Sequence, residues 1–240
     1  MEHPTRNAVE RPAGLRSKAS AAWRSPRLRP LSEGAPLVVP LMVAGVASLR
    51  LFPPAAPVAL LAAGGVALAF RDPERVVPAA PGTALAPADG RVIHVGTTWD
   101  EYWEDEMAEI AIFLAIWDVH VQRSPLPGEV VEQRRRAGGY RPAMTRAATH
   151  GNHQVATYLE TALGPCTVTQ ISGLVARRIV TWAGPGDRLE QGERLGIIKF
   201  GSQVTLRVPA SARVVVEPGD AVRAGVTPMA ELAPLPSPAP

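Results

Sequence analysis

The sequence predicts a mainly-β domain, a lipoyl-like β-sandwich or barrel, preceded by an apolar helical hairpin. Three observations predict it. Residues 71–232 fall into short β-prone runs separated by Gly, Pro and Asp. Between Glu33 and Arg71 the only charged residue is Arg50. The pattern Gly-Asp-x-apolar-x-x-Gly occurs twice, at residues 186–192 and 219–225. Such turns recur in lipoyl-like sandwiches, where Gly and Asp supply the tight bends. A chain of 240 residues suits one compact domain with appendages.

Residues 1–34 read as a basic, flexible arm. Residues 1–30 hold seven Lys/Arg against Glu2 and Glu10, whereas the rest of the chain holds eighteen against twenty. The basic excess is therefore an arm rather than a groove. Few aromatics accompany it and no nucleic-acid motif follows, so nucleic acid is not the expected partner. A basic arm beside apolar sequence suits anionic lipid headgroups.

Residues 35–70 follow as the hairpin, broken at Arg50 and Pro53-Pro54 into segments 35–49 and 55–70. At about 1.5 Å per residue, each half falls short of a hydrocarbon core of about 30 Å. Basic residues flank both outer ends, with Arg71 and Arg75 after the second half. By the positive-inside rule both ends stay cytoplasmic. The expectation is a hairpin that enters the bilayer and returns, at the cytoplasmic face of the cell membrane. The alternative is a buried helical pair of a soluble core.

Residues 71–232 form the β domain. Runs at 91–95, 109–116, 154–160, 167–171, 175–182, 196–200, 203–208 and 212–216 read as strands. Their spacing leaves little room for crossover helices. Ser202, Val204, Leu206 and Val208 alternate with Gln203, Thr205 and Arg207. A strand starting at Ser202 therefore turns the serine toward the apolar, inward face. The single cysteine, Cys166, forbids an intramolecular disulfide. Residues 233–240 are a Pro-rich tail.

The chemistry points to Gly201-Ser202. A serine directly after a glycine can attack the carbonyl before it, and glycine neither hinders that attack nor resists the strained backbone it needs. Upstream lie Pro87-Ala88-Asp89-Gly90-Arg91-Val92 and Trp117-Asp118-Val119-His120-Val121-Gln122-Arg123-Ser124-Pro125. With the hairpin that ends in Phe70-Arg71-Asp72-Pro73-Glu74-Arg75, these pieces resemble the phosphatidylserine decarboxylase family in its short prokaryotic form. The resemblance covers roughly residues 35–232. It implies a precursor that cleaves itself between Gly201 and Ser202 by serinolysis. It also implies a pyruvoyl cofactor made from Ser202, with no metal. The large and small chains would stay together as a heterodimer. The substrate would be phosphatidylserine on an anionic membrane surface, held as a Schiff base and converted to phosphatidylethanolamine and CO₂.

His120 is the candidate for proton transfer, because a neutral imidazole exchanges a proton near pH 7. Asp89 is the candidate to orient a histidine and stabilise its cation. Longer bacterial members of the family carry a second histidine three positions after the first. Arg123 stands there in this chain, so the base for Ser202 is His120, His150 or His153. Arg123 becomes a candidate for binding the substrate phosphate or carboxylate, and His153 a second substrate-binding candidate. The segment His150-Gly151-Asn152-His153 could hold a metal only if helical, and Gly151 argues for a loop. Two rivals remain. Zinc endopeptidases with a lipoyl-like sandwich need ligand spacings that His120, His150 and His153 do not provide. A non-enzymatic, membrane-tethered β-sandwich that binds a partner would keep an intact chain.

Overall fold

A computed structural model of the protein describes residues 29–78, 80–174, 178–199 and 201–233. The basic arm through residue 28, Phe200 and the tail from residue 234 lie outside the described residues.

Helix α1 (Arg29–Leu51, 23 residues) opens the described chain. A 3₁₀ turn at Pro53–Ala55 and helix α2 (Ala56–Ala69, 14 residues) follow. The Pro53-Pro54 break falls where the sequence predicts it: the adjacent prolines form the 3₁₀ turn that opens the second helix, whereas α1 accommodates the isolated Pro36 and Pro40 in its interior. The first helix is longer than expected. It begins inside the basic arm, and its 20-residue stretch Ser32–Leu51 contains an 18-residue window with a mean hydropathy of 1.7. By length and composition it is able to cross a membrane, unlike the shorter second helix. Both helices present large apolar side chains outward, among them Val43 (64% exposed) and Leu61 (77% exposed). Phe70, at the end of α2, is buried against Val119, Val121 and Ile197 and anchors the hairpin on the β domain. Lys199 reaches back to pair with Glu33 of α1 at 3.0 Å.

The β domain contains β1 (Thr83–Leu85), β2 (Gly90–Asp100), β3 (Asp105–Leu114), β4 (Val121–Arg123) and β5 (Gly128–Arg136). A short helix α3 (Arg146–Gly151) precedes β6 (Gln154–Thr161), β7 (Gly164–Ile171), β8 (Ile179–Thr181) and β9 (Arg188–Leu189). The last five strands are β10 (Arg194–Ile198), β11 (Ser202–Pro209), β12 (Arg213–Val214), β13 (Ala221–Val222) and β14 (Pro228–Glu231). Eight strands form one antiparallel sheet in the order β13-β2-β3-β11-β7-β6-β5-β9. Two three-stranded sheets, β4-β10-β8 and β1-β14-β12, complete the domain. The mainly-β expectation therefore holds, with the large sheet curled into a half-barrel. The expected run at 175–182 supplies only the short β8, and residues 175–177 lie outside the described residues.

β11 lies near the middle of the large sheet, paired with β3 on one side and β7 on the other. Its alternation works as predicted: Val204, Leu206 and Val208 enter the main core beside Ile110, Ile112 and Val168. Gln203 and Thr205 on the opposite face are also fully buried, so β11 is covered on both sides. β10, just upstream, belongs to the sheet with β4 and β8. The chain thus turns a corner between Ile198, where it leaves one sheet, and Ser202, where it enters another.

Candidate active site

The corner is built around Gly201. Its φ of +54° lies in the left-handed region, which glycine adopts without the clash that a side chain brings. Ser202 follows as the first residue of β11, opposite Leu114 of β3. It is fully buried, and its Oγ has no hydrogen-bond partner among the described residues. A buried hydroxyl without a partner costs about 1–3 kcal/mol. Gln203 Oε1 and Thr205 Oγ1 on the same strand also lack a partner, so what sets Ser202 apart is its place directly after Gly201.

His120 supplies the neighbouring group. It immediately precedes β4, the strand paired with β10, and is 1% exposed. The Gly201 amide donates to its Nε2 at 3.1 Å. Its Nδ1 lies 2.8 Å from the Asp118 carbonyl oxygen. The two contacts together specify one tautomer: Nδ1 carries the proton and donates to Asp118, and Nε2 carries the lone pair. Behind the ring, Gln122 Nε2 donates to the His120 carbonyl, and Gln170 Nε2 donates to Gln122 Oε1. Burial lowers the imidazole pKa below its ordinary value, and this outweighs the opposing pull of the Asp118 backbone contact, Asp118 and Asp89. The ring is therefore neutral at pH 7, as a proton acceptor must be.

A buried serine, a left-handed glycine before it and a neutral histidine on the glycine amide therefore share one corner. Comparisons with known proteins show the family to which such a corner belongs. The family model described as phosphatidylserine decarboxylase matches residues 65–230. A phosphatidylserine decarboxylase proenzyme of Burkholderia ambifaria is 42% identical over 164 residues, covering 68% of this chain and 77% of its own. Proenzymes of the same name from Geobacter metallireducens (41% over 159 residues, covering 66% and 73%) and Saccharopolyspora erythraea (44% over 169 residues, covering 68% and 72%) are comparably similar.

The chain belongs to the phosphatidylserine decarboxylase family. It is thus an enzyme of a decarboxylase family, and the remaining candidate residues of this decarboxylase can be placed. Asp89 Oδ2 accepts from Arg75 at 2.8 Å and Oδ1 accepts from the Ala224 amide at 2.8 Å. It reaches His120 through its charge, while the Asp118 carbonyl sets the ring's orientation. Asp89 also joins the stretch after α2 to the loop before β14.

Arg123 does not share the site of His120. In extended chain, residues three apart project to opposite faces. The Arg123 guanidinium binds Asp72 at 2.7 Å, the Gly192 carbonyl at 3.0 Å and the Pro73 carbonyl at 3.3 Å. Asp72, 1% exposed at its side chain, holds Arg194 as well. Arg123 is therefore a buried strut beneath the hairpin, with both terminal nitrogens engaged.

His153 directly precedes β6. Since Gln154 pairs with Ile171 and Ile171 with Gln203, it stands two strand spacings from Ser202, roughly 10 Å. It lines an open cavity of about 420 Å³ with Arg135, Arg178 and Thr181. His150 lines a different cavity, with Arg134, Arg136 and Thr205. Contrary to the loop expected there, His150 lies in the last turn of α3, while His153 lies beyond its end. The two histidines thus face separate spaces. Among the described residues, no three His, Cys, Asp or Glu side chains gather into a possible metal site. Cys166 is fully buried, and burial pushes its thiol pKa up to about 12, so it is no nucleophile.

The Asp118 carbonyl and Gly173 also belong to this corner, and motif reasoning does not find them. A backbone oxygen has no signature in sequence. Gly173 follows β7 and reads as an ordinary turn glycine.

Proposed function

We propose that this chain is a membrane-associated proenzyme that cleaves itself between Gly201 and Ser202 and then decarboxylates phosphatidylserine to phosphatidylethanolamine and CO₂. The observation that carries the proposal is the buried, unpartnered Ser202 Oγ, placed directly after a left-handed Gly201 whose amide rests on His120 Nε2. The proenzyme names of the relatives support the same reading.

Ser202 Oγ bonds to the Gly201 carbonyl carbon while the bond from that carbon to the Ser202 nitrogen breaks. The hydroxyl proton leaves through a base and arrives on the released nitrogen, so the amide becomes an ester. Removal of the Ser202 α-proton then expels the Gly201 carboxylate and leaves dehydroalanine. Water converts that to a pyruvoyl end and ammonia. His120 is the base we assign to this sequence. Its lone pair is engaged by the Gly201 amide before cleavage, and release of that contact frees it. The pyruvoyl carbonyl would supply an electron sink for loss of CO₂ from an amine-bearing substrate. Ser202, fully buried at the end of a central strand, would hold that group away from bulk water.

The sheet pairing supports a stable two-chain product. The small chain, residues 202–240, would contribute β11 to the middle of the large sheet, β13 to its edge beside β2, and β14 beside β1. Cutting at the corner leaves each of these pairings intact. We keep residues 35–70 as a membrane hairpin and 71–232 as the catalytic domain. The cavity lined by His153, Arg135 and Arg178 is suited to an anionic headgroup.

The titration of His120 gives a pH dependence. Because its pKa is lowered from 6.5, self-cleavage should hold its rate as pH falls to 6.5 and decline only below it. The same burial makes the fold pH-dependent. The neutral ring's contribution is complete above the unfolded pKa and is lost as pH falls through the lowered folded value. Cleavage rates of freshly refolded precursor between pH 4 and pH 8 check the first statement; an acid limb centred above about 6.5 contradicts it.

The substrate reading is tested with phosphatidylserine vesicles. Wild-type enzyme should release CO₂ and leave phosphatidylethanolamine. Val43→Lys with Val46→Lys places two charges on the exposed apolar face of α1, at about 2.5–3.5 kcal/mol each near a helix centre. The double variant should still cleave itself but should no longer co-sediment with vesicles. Retained sedimentation contradicts the membrane role, and absence of CO₂ from wild type contradicts the substrate.

A further inference from the structure

We propose that Gly173 is a positioning residue for self-cleavage, and that its missing side chain is the seat of the Gly201 carbonyl attacked by Ser202. The inference rests on the self-cleavage reading above. The pairing of β11 with β7 sets Gln203 opposite Ile171. Continued past the strand ends, that antiparallel register brings Ser202 beside Ser172 and Gly201 beside Gly173. The approach at the second of these is unusually close. A Cβ built on Gly173 would lie 2.1 Å from the Gly201 oxygen and 3.1 Å from its carbon. Ordinary contact begins at 3.4 Å.

The glycine is needed for space and not for its dihedral freedom. Its φ lies outside the left-handed region, so alanine fits the local backbone and only the carbonyl stands in its way. Neither wall yields freely. On the Gly173 side, the Ser172 amide and Oγ both donate to the His153 carbonyl, at 2.9 and 2.8 Å, and Asn152 Nδ2 donates to the Ser172 carbonyl at 2.8 Å. On the other side, Ser202 is held in β11 opposite Leu114. A methyl at position 173 must therefore displace or turn the Gly201 carbonyl, by on the order of 1 Å.

That carbonyl plane sets the line of approach for Ser202 Oγ. In the step concerned, the Oγ–C bond forms, the C–N bond breaks and one proton passes from oxygen to nitrogen. A misplacement of about 1 Å in such an attack costs about a hundredfold in rate. The structure also offers a compensation. The third neighbour of the missing Cβ is the Ala143 Cβ, at 3.1 Å, and trimming it removes the other tight contact that a methyl at position 173 meets.

The experiment follows precursor conversion in wild type, Gly173→Ala and Gly173→Ala/Ala143→Gly, by intact mass, with circular dichroism and thermal melting beside Ser202→Ala. Gly173→Ala should fold as Ser202→Ala does yet cleave about a hundredfold more slowly, and the double variant should recover part of that loss. Gly173→Ala chains that cleave at the wild-type rate overturn the proposal. So does loss of cleavage that accompanies loss of the thermal transition in both Gly173 variants, because the role is then structural. If Gly173→Ala alone fails to fold, a folded double variant that cleaves at the wild-type rate or not at all also overturns it. A wild-type chain that never breaks instead removes the self-cleavage reading itself.

Discussion

Ser202→Ala is expected to remain a single full-length chain with no measurable decarboxylation, and to lose no stability in doing so. These two effects rarely travel together. Removing a buried hydroxyl normally strands its partner, at about 1–3 kcal/mol. Here Oγ has no partner to strand among the described residues, and the methyl that remains sits on the face of β11 shared with Val204 and Leu206. The variant should therefore melt at or above the wild-type temperature, while processing and turnover both disappear. A gel under denaturing conditions and an assay on phosphatidylserine vesicles read the two effects. Two fragments from Ser202→Ala would place the break elsewhere.

His120→Ala is expected to be the second severe loss. The imidazole is held at both nitrogens, by the Asp118 carbonyl and the Gly201 amide. Its removal takes away the proton acceptor, worth about 10²–10⁴ in rate. It also leaves the Gly201 amide without that acceptor, at about 1–3 kcal/mol. His120→Gln separates the two contributions. Glutamine can accept from the Gly201 amide and so should recover the stability, but it exchanges no proton and should not recover the cleavage. Normal processing by either variant would show that another group activates Ser202.

How much of this was legible in the sequence depends on the range of each signal. The alternation of Val204, Leu206 and Val208 is a local pattern, and it correctly places Ser202 inward. The near-absence of charge between Glu33 and Arg71 is also local, and both helices follow from it. Their lengths do not, because α1 recruits residues from Arg29 onward that composition assigns to the arm. β5 escapes notice because its second half is Glu132-Gln133-Arg134-Arg135-Arg136, and Val130 is its one fully buried residue. In a strand beside β6, backbone pairing overrides such side-chain preferences.

The site divides in the same way. Gly201, Ser202 and His120 are the residues that motif reasoning names for their side chains or the lack of one, and the structure brings the three to one corner. Arg123 keeps its charge but faces Asp72, and strand direction decides that. Asp89 is engaged with Arg75 and the Ala224 amide, partners 14 and 135 residues away in the chain. Gly173 meets Gly201 only because two strand ends happen to be neighbours in the large sheet. No local pattern announces a contact of that kind.

Conversion of a serine into a backbone carbonyl by self-cleavage is tested most directly by the intact mass of denatured wild-type protein before and after treatment with borohydride. Two chains are expected, one ending at Gly201 and a smaller one beginning at position 202, the latter lighter by one ammonia than a serine-started chain and gaining two hydrogens on reduction. A single unreduced chain with the mass of the whole sequence, in a preparation that decarboxylates phosphatidylserine, would contradict it.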